Sequence, residues 1–270
     1  MSGAGFKCVV GAIDGLLIWT LMPPLFLCRM IDCGQANFRC HRKDKYGCNM
    51  IAICDHTLRF RWVDMNWPGA TSDYMAWITS RLCMDLEDNT VTNVLREGMT
   101  LVGDNAFVKR LFMAIPLRGI RGGYEDAYNF YHSQLRITIE RSFGVFVHRW
   151  AILCAPLTIP LLKVAPLIEC LVRLHNYCID EKEISIDTVQ RKDYSNLCQN
   201  LLYSQHFGGA AASDGVVDND KYHRPVELLD NGHHFHDSPE YRFDKRLKDV
   251  VTPMDEMLQL CKANDLRRPL

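Results

Sequence analysis

The sequence predicts an α/β fold, and three observations carry that expectation. Two short apolar strands, FKCVVGAID at 6–14 and MTLVGD at 99–104, each close on an aspartate with a glycine beside it. A hairpin pattern fills 46–64, and two stretches at 124–150 and 164–180 carry helical periodicity. At 270 residues and 48% hydrophobic content, the chain can bury a full core.

In chain order, Phe6 to Asp14 reads as a buried strand with Val9, Val10 and Ile13 apolar and the acid at its end, followed at once by Gly15. Carboxylates at the carboxyl ends of strands are common site residues in open α/β sheets, although this fragment alone reads better as a turn aspartate. YGCNMIAICD and LRFRWVD are two strands joined by a polar turn around Asp55, His56 and Thr57. The basic lead-in CHRKDKYG could meet phosphates or simply be a solvated loop. Pro68 and Gly69 then break the strand, and a helix opens with Thr71 or Ser72 as N-cap and Asp73 in its first turn. An acid there complements the helix dipole, so Asp73 has a structural reading beside a functional one.

MTLVGD repeats the strand, glycine, aspartate pattern at Asp104. Residues 105–115 read as a short helix or loop stopped by Pro116, and LRGIRGG follows as a flexible loop. Arg110, Arg118 and Arg121 make this loop region a candidate phosphate-contacting surface, with solvated arginines as the alternative. Tyr124 to Trp150 runs 27 residues without proline, long enough for a helix of several turns. Asn129, Ser133, Arg136 and Glu140 fall on one polar stripe of it, beside an apolar stripe of Tyr131, Leu135, Ile139, Phe143 and Phe146. Taken alone, Arg136 and Glu140 would be a surface pair worth a few tenths of a kcal/mol, about 0.3.

Residues 151–162 form an apolar connector, and 164–180 a second helix on which His175 and Asn176 pack or cap. From 181 the composition changes: FGGAAASDGVVDND is linker-like, NGHHFHDSPE is His-rich, and helical periodicity returns over 241–266. The expected division is therefore a domain at 1–180 and an appendage at 181–270 with a linker and a terminal helix.

The net charge of -1 gives little electrostatic affinity for nucleic acid. The 12 cysteines are scattered with no signal peptide, which favours free thiols in a reducing compartment and argues against secretion. Cys28, Cys33, Cys40, His41, Cys48, Cys54 and His56 lie close in sequence but lack the Cys-x2-Cys pairs of structural zinc sites, so no zinc is expected there. The apolar run from Leu16 to Cys28 is too short to span a membrane and contains Pro23 and Pro24.

Taken in order, GAIDG, WPGATSD, LVGDNAF, NFYHSQLRITIERSFG and RLHNYCID resemble the DDE nuclease domain of Harbinger-type transposases and the nucleases derived from them, over roughly residues 8 to 180. The resemblance implies an RNase H-like mixed β-sheet flanked by helices, with catalytic Asp14, Asp104 and Glu140 and with Asp73 as a further metal-site acid. Arg136, Asn129, Ser133, Arg118 and Arg121 are the candidate supporting and phosphate-binding residues. Two divalent ions, Mg2+ or Mn2+, about 3.5 to 4 Å apart would activate water and relieve charge on the leaving oxygen. Acids gathered from separate segments repel one another unless metal neutralises them, which favours a site over a structural device.

The expected function is thus metal-dependent hydrolysis of DNA phosphodiesters, with strand transfer as an extension, in the nucleus if active and otherwise in the cytoplasm. The alternative is a catalytically silent transposase fragment that binds protein or DNA. Leu16 and Leu17 stand where the family often has Thr-His, and the chain starts almost at the first strand, which points to a truncated copy. The resemblance also implies a separate Myb-like DNA-binding partner. No recognition helix is legible in this chain, so weak DNA binding without sequence choice is expected of it alone.

Overall fold

β1 (Val9–Trp19) is the strand against which the rest of the sheet is laid. The structure is a computed structural model, and it describes residues 5–88, 95–119, 122–181 and 250–268. β1 does not end at Asp14 as its first apolar run suggests. Leu16 to Trp19 go on pairing antiparallel with β3 (Lys45–Cys54), from Ala12 opposite Cys54 to Trp19 opposite Gly47, so Asp14 sits in mid-strand. The extension is stable because Leu16, Leu17 and Ile18 alternate between two covered faces and all three are buried.

β3 pairs on its far side with β4 (Phe60–Pro68) and, at its start, with the two-residue β2 (Arg39–Cys40). On the opposite flank β1 runs parallel to β5 (Thr100–Val102), which runs parallel to β6 (Met113–Ala114). The result among the described residues is a mixed six-stranded sheet, antiparallel on the β3 and β4 side and parallel on the other. β6 falls within 105–115, where a helix or loop was expected. At two residues it is too short to show periodicity, and it forms by pairing with Leu101 and Val102.

Helices cover both faces. Ile13, Ile51 and Ile53 pack with Ala76, Trp77 and Cys83 of α2 (Asp73–Ile78) and α3 (Arg81–Glu87). The single helix expected from residue 72 is broken at Ser80, whose hydroxyl accepts from Cys83 N–H at 3.2 Å and caps a new one. Ser72 caps α2 by accepting from Met75 N–H at 3.3 Å. Past the strand, Pro23 and Pro24 lead into the short α1 (Leu25–Met30). Cys28 and Cys48 sit with Phe38 in a small apolar cluster against which Cys33 packs, while Cys54 belongs to the main core.

On the other face Ala12, Leu16 and Ile18 meet α4 (Tyr124–Arg149) and α5 (Val164–Asp180). The apolar stripe read from the sequence holds: Ile139, Phe143 and Phe146 are buried, and Tyr131 and Leu135 pack against them. From α5, Asn176 clamps the start of β4, accepting from Phe60 N–H at 2.9 Å and donating to Phe60 C=O at 2.8 Å. His175 Nε2 lies 3.1 Å from the carbonyl of Leu58, a residue with φ of 68° in the β3–β4 turn. His132 makes the matching contact from α4 to Ala114 C=O at 3.2 Å.

Burial pushes both His132 and His175 down to about 4, so each is neutral in the folded state at neutral pH. An unfolded histidine binds its proton near 6.5, so between about pH 6.5 and 4 the unfolded state takes up more protons and stability falls as pH falls. The two together should remove a few kcal/mol, about 3 for each at the low end of that window. Denaturant melts at pH 7 and 4.5 read this directly, and His175→Gln should flatten the slope.

α6 (Pro253–Ala263) comes from the segment expected as an appendage, within the periodic stretch 241–266. A capping box of Thr252 and Asp255 starts it, and Lys109 Nζ holds Asp255 Oδ1 at 2.7 Å. Met254, Met257 and Cys261 enter the same core as β1 and α4. The linker FGGAAASDGVVDND and the His-rich NGHHFHDSPE lie outside the described residues. Among the described residues no helix is long and apolar enough to cross a membrane.

Candidate active site

The acids gather where β5 stops running beside β1. The last pair of that ladder is Ala12 with Val102, so Asp104 follows β5 as Asp14 follows Ala12. Gly15 N–H donates to Asp14 Oδ1 at 2.8 Å. Asp104 Oδ1 accepts from Ala106 N–H at 2.8 Å, a turn that fixes the acid as the chain leaves the strand. Asp73 arrives from the first turn of α2. Gly15 makes room for it, because a Cβ at that position would overlap the Asp73 carboxylate. Asn49 of β3 donates to Asp73 Oδ1 at 2.9 Å and to Thr71 C=O at 2.9 Å.

Asp14 shares its face of β1 with Ala12 and Leu16, toward α4, whereas Asp73 lies against Gly15 on the α2 side. The two carboxylates still lie within each other's field. Asp14 is pushed up to about 7, first by burial and then by the charges of Asp73 and Asp104, with Gly15 N–H and Arg136 opposing. Burial likewise raises Asp73, against the Asn49 hydrogen bond and the nearby charge of Arg42. Two acids held above the ordinary carboxylate range want a cation.

Glu140 stands on α4, on the Asp14 side of the sheet, and is exposed. Arg136 Nη1 holds its Oε1 at 2.5 Å, and the charge of this guanidinium also reaches Asp14. The other residues of the polar stripe do not gather there. Asn129 uses its whole amide on Leu117, accepting from its N–H and donating to its C=O, both at 2.8 Å. Ser133 and Arg118 are exposed, Arg110 pairs with Glu87 at 3.0 Å, and Arg121 lies outside the described residues.

Among the described residues no three histidine, cysteine or acidic side chains are drawn tightly enough to enclose an ion by themselves. The donor set nevertheless suits a hard divalent cation, since Asp14, Asp73 and Asp104 offer only oxygen, and the first two are half-buried and raised.

Comparison with known proteins matches residues 25–176 to the family described as DDE superfamily endonuclease. The chain belongs to that family. Two curated relatives share the printed name "Putative nuclease HARBI1". The Homo sapiens protein is 27% identical over 151 residues, covering 54% of this chain and 38% of its own length. The Bos taurus protein is 25% identical over 151 residues with the same coverage, so the chain spans well under half the length of either. No solved structure is significantly matched. The mixed sheet with helices on both faces agrees with an RNase H-like DDE fold.

Within this family member, sequence reasoning passed over Asn49 and misread Gly15. Asn49 is a lone amide in the otherwise apolar run NMIAIC of β3, and that oddity was the available signal. Gly15 looked like a turn residue, but it lies inside a strand, and its use is close approach.

Proposed function

We propose that this chain is a divalent-metal-dependent DNA endonuclease, hydrolysing phosphodiester bonds through Asp14, Asp104 and Glu140 with Asp73 as a further metal ligand. The observation that carries the reading is the mutual repulsion of Asp14, Asp73 and Asp104 at the end of β5. Such a cluster costs stability, and membership in an endonuclease family supplies the reason to keep it. DDE superfamily endonucleases generally use divalent ions. Mg2+ or Mn2+ held by these acids would supply charge relief and an activated water.

The chain's own residues would divide the remaining work. Asp14 and Asp104 are fixed by backbone donors, from Gly15 and Ala106, so their carboxylates are pre-set before any ion arrives. Asn49 fixes Asp73 in the same way. Arg136 is placed to exchange Glu140 for a phosphate oxygen, because a guanidinium binds either anion. The reading extends to strand transfer, to action in the nucleus and to a separate Myb-like DNA-binding partner, since the near-neutral charge gives little affinity of its own.

A nicking assay on supercoiled DNA with Mg2+ or Mn2+ tests the proposal. The chain should nick, and Asp104→Ala should lower the rate by about 100-fold or more. A second reading, a silent binding module, draws on Leu16 and Leu17, buried apolar residues that follow the first Asp-Gly. Equal nicking by the wild type and Asp104→Ala, or none by either, would favour it.

A further inference from the structure

The four-residue turn between β2 and β3, His41 to Asp44, brings two cations, Arg42 and Lys43, within the field of the acid cluster. It is a built turn. Arg39 and Lys45 flank it in the β2–β3 ladder region, Asp44 takes a left-handed φ of 50°, and Arg39 Nε holds Asp44 Oδ1 at 3.0 Å across its mouth. Its base is joined to the segment that delivers Asp73. Ala70 N–H donates to Asn37 C=O at 2.8 Å and Gly69 N–H to Gly47 C=O at 2.9 Å, while Asn49 ties Thr71 and Asp73 to β3. Contact there is so close that a Cβ on Gly69 would come within 2.8 Å of Gly47 C=O. The turn and the acid are therefore placed as one piece.

Lys43 lies in the field of both Asp73 and Asp14, and Arg42 in that of Asp73. Among the described residues neither cation makes a hydrogen bond or an ion pair. They lie within the field of the carboxylates without pairing with them. That arrangement is poor as a pair of salt bridges, but it leaves room for a charge layer between the two sets. Once cations occupy the acids, Lys43 and Arg42 would be repelled unless an anion stood between, and a nucleic-acid phosphate has the charge and the oxygens to do so.

We propose that Lys43, with Arg42 beside it, is the phosphate-contacting group of this site, holding a DNA backbone phosphate against the metal-bearing acids. The inference rests on the nuclease reading for its metal, but not on the chain's cutting. Of the two basic stretches that the sequence offers for a phosphate, CHRKDKYG and the loop at 117–123, it selects the first.

The test uses the full chain, a short duplex of arbitrary sequence and Ca2+ in place of the reactive ion, with affinity measured over a range of salt. Each of Lys43→Gln and Arg42→Gln should lower the slope of log affinity against log salt by about 0.9, one phosphate's worth, and Lys43→Arg should restore it. In nicking assays Lys43→Gln should raise KM more than it lowers kcat. Mn2+ affinity of the DNA-free variants gives the opposing outcome. If Lys43→Gln tightens Mn2+ binding but leaves the salt slope unchanged, the lysine is only a counter-ion to the acids and the proposal fails. Absence of any salt-dependent DNA binding by the wild type also overturns it. If the chain does not cut but the slope falls as stated, the nuclease reading fails while the phosphate contact stands.

Discussion

Asp14→Asn should make the chain more stable and, on the nuclease reading, inactive. The Asp14 carboxyl is raised to about 7 from an ordinary value of 3.8, first by burial and then by Asp73 and Asp104. Between those two values the folded state holds the proton that the unfolded state has released, so stability falls as pH rises from about 4 to 7. An amide of the same shape removes that loss. At neutral pH the gain should be on the order of 2 kcal/mol, discounting a shift of about three units at 1.36 kcal/mol each for the residue's partial exposure. The same substitution removes a metal ligand and should reduce nicking by about 1,000-fold. Thermal melts at pH 5 and 7.5 check the first half: the advantage of the amide must shrink at the lower pH. Mn2+ should raise the melting temperature of the wild type and not that of Asp14→Asn, since an ion bound only by the folded state stabilises it. A destabilised Asp14→Asn would mean that the carboxylate is satisfied as it stands.

Gly15→Ala should harm both stability and activity. A Cβ at this position overlaps the Asp73 carboxylate, which is itself tied to Asn49 and to the first turn of α2. Either α2 moves off the sheet or Asp73 turns away. Overpacking of this kind costs about 1–3 kcal/mol, and a displacement of about 1 Å at a reacting centre costs about 100-fold in rate. The double variant Gly15→Ala with Asp73→Gly should recover most of the stability and none of the nicking. If Gly15→Ala alone is fully active, Asp73 has no part in the reaction.

Much of this architecture could be read from the chain because its strongest signals are local and periodic. The apolar stripe of α4 and the β3–β4 hairpin follow from residue spacing, and both form where expected. What could not be read depends on partners distant in sequence. β6 exists only because Leu101 and Val102 offer it a ladder, and β1 continues past Asp14 only because β3 does. In the candidate site, Asp73 and Asp104 were legible as acids at a helix start and a strand end, whereas Asp14 was legible as an acid but lies in mid-strand. The amide of Asn129 was misjudged because its partner, the Leu117 backbone, lies on a loop that carries no pattern. CHRKDKYG could be read as phosphate-contacting or solvated, because nothing local indicates that Lys43 comes within the field of Asp73.

The docking of α6 bears on the order in which the protein can be made. Met254, Met257 and Cys261 complete the core formed by β1 and α4, yet they emerge from the ribosome long after both of those elements. Until then the α4 surface that receives them, and the turn at Lys109 that awaits Asp255, remain uncovered. A nascent chain that has finished its sheet is thus still an incomplete body with an apolar face open to chaperones or to aggregation. Arrival of the segment that carries α6, rather than completion of the sheet, would then be the event that closes the fold.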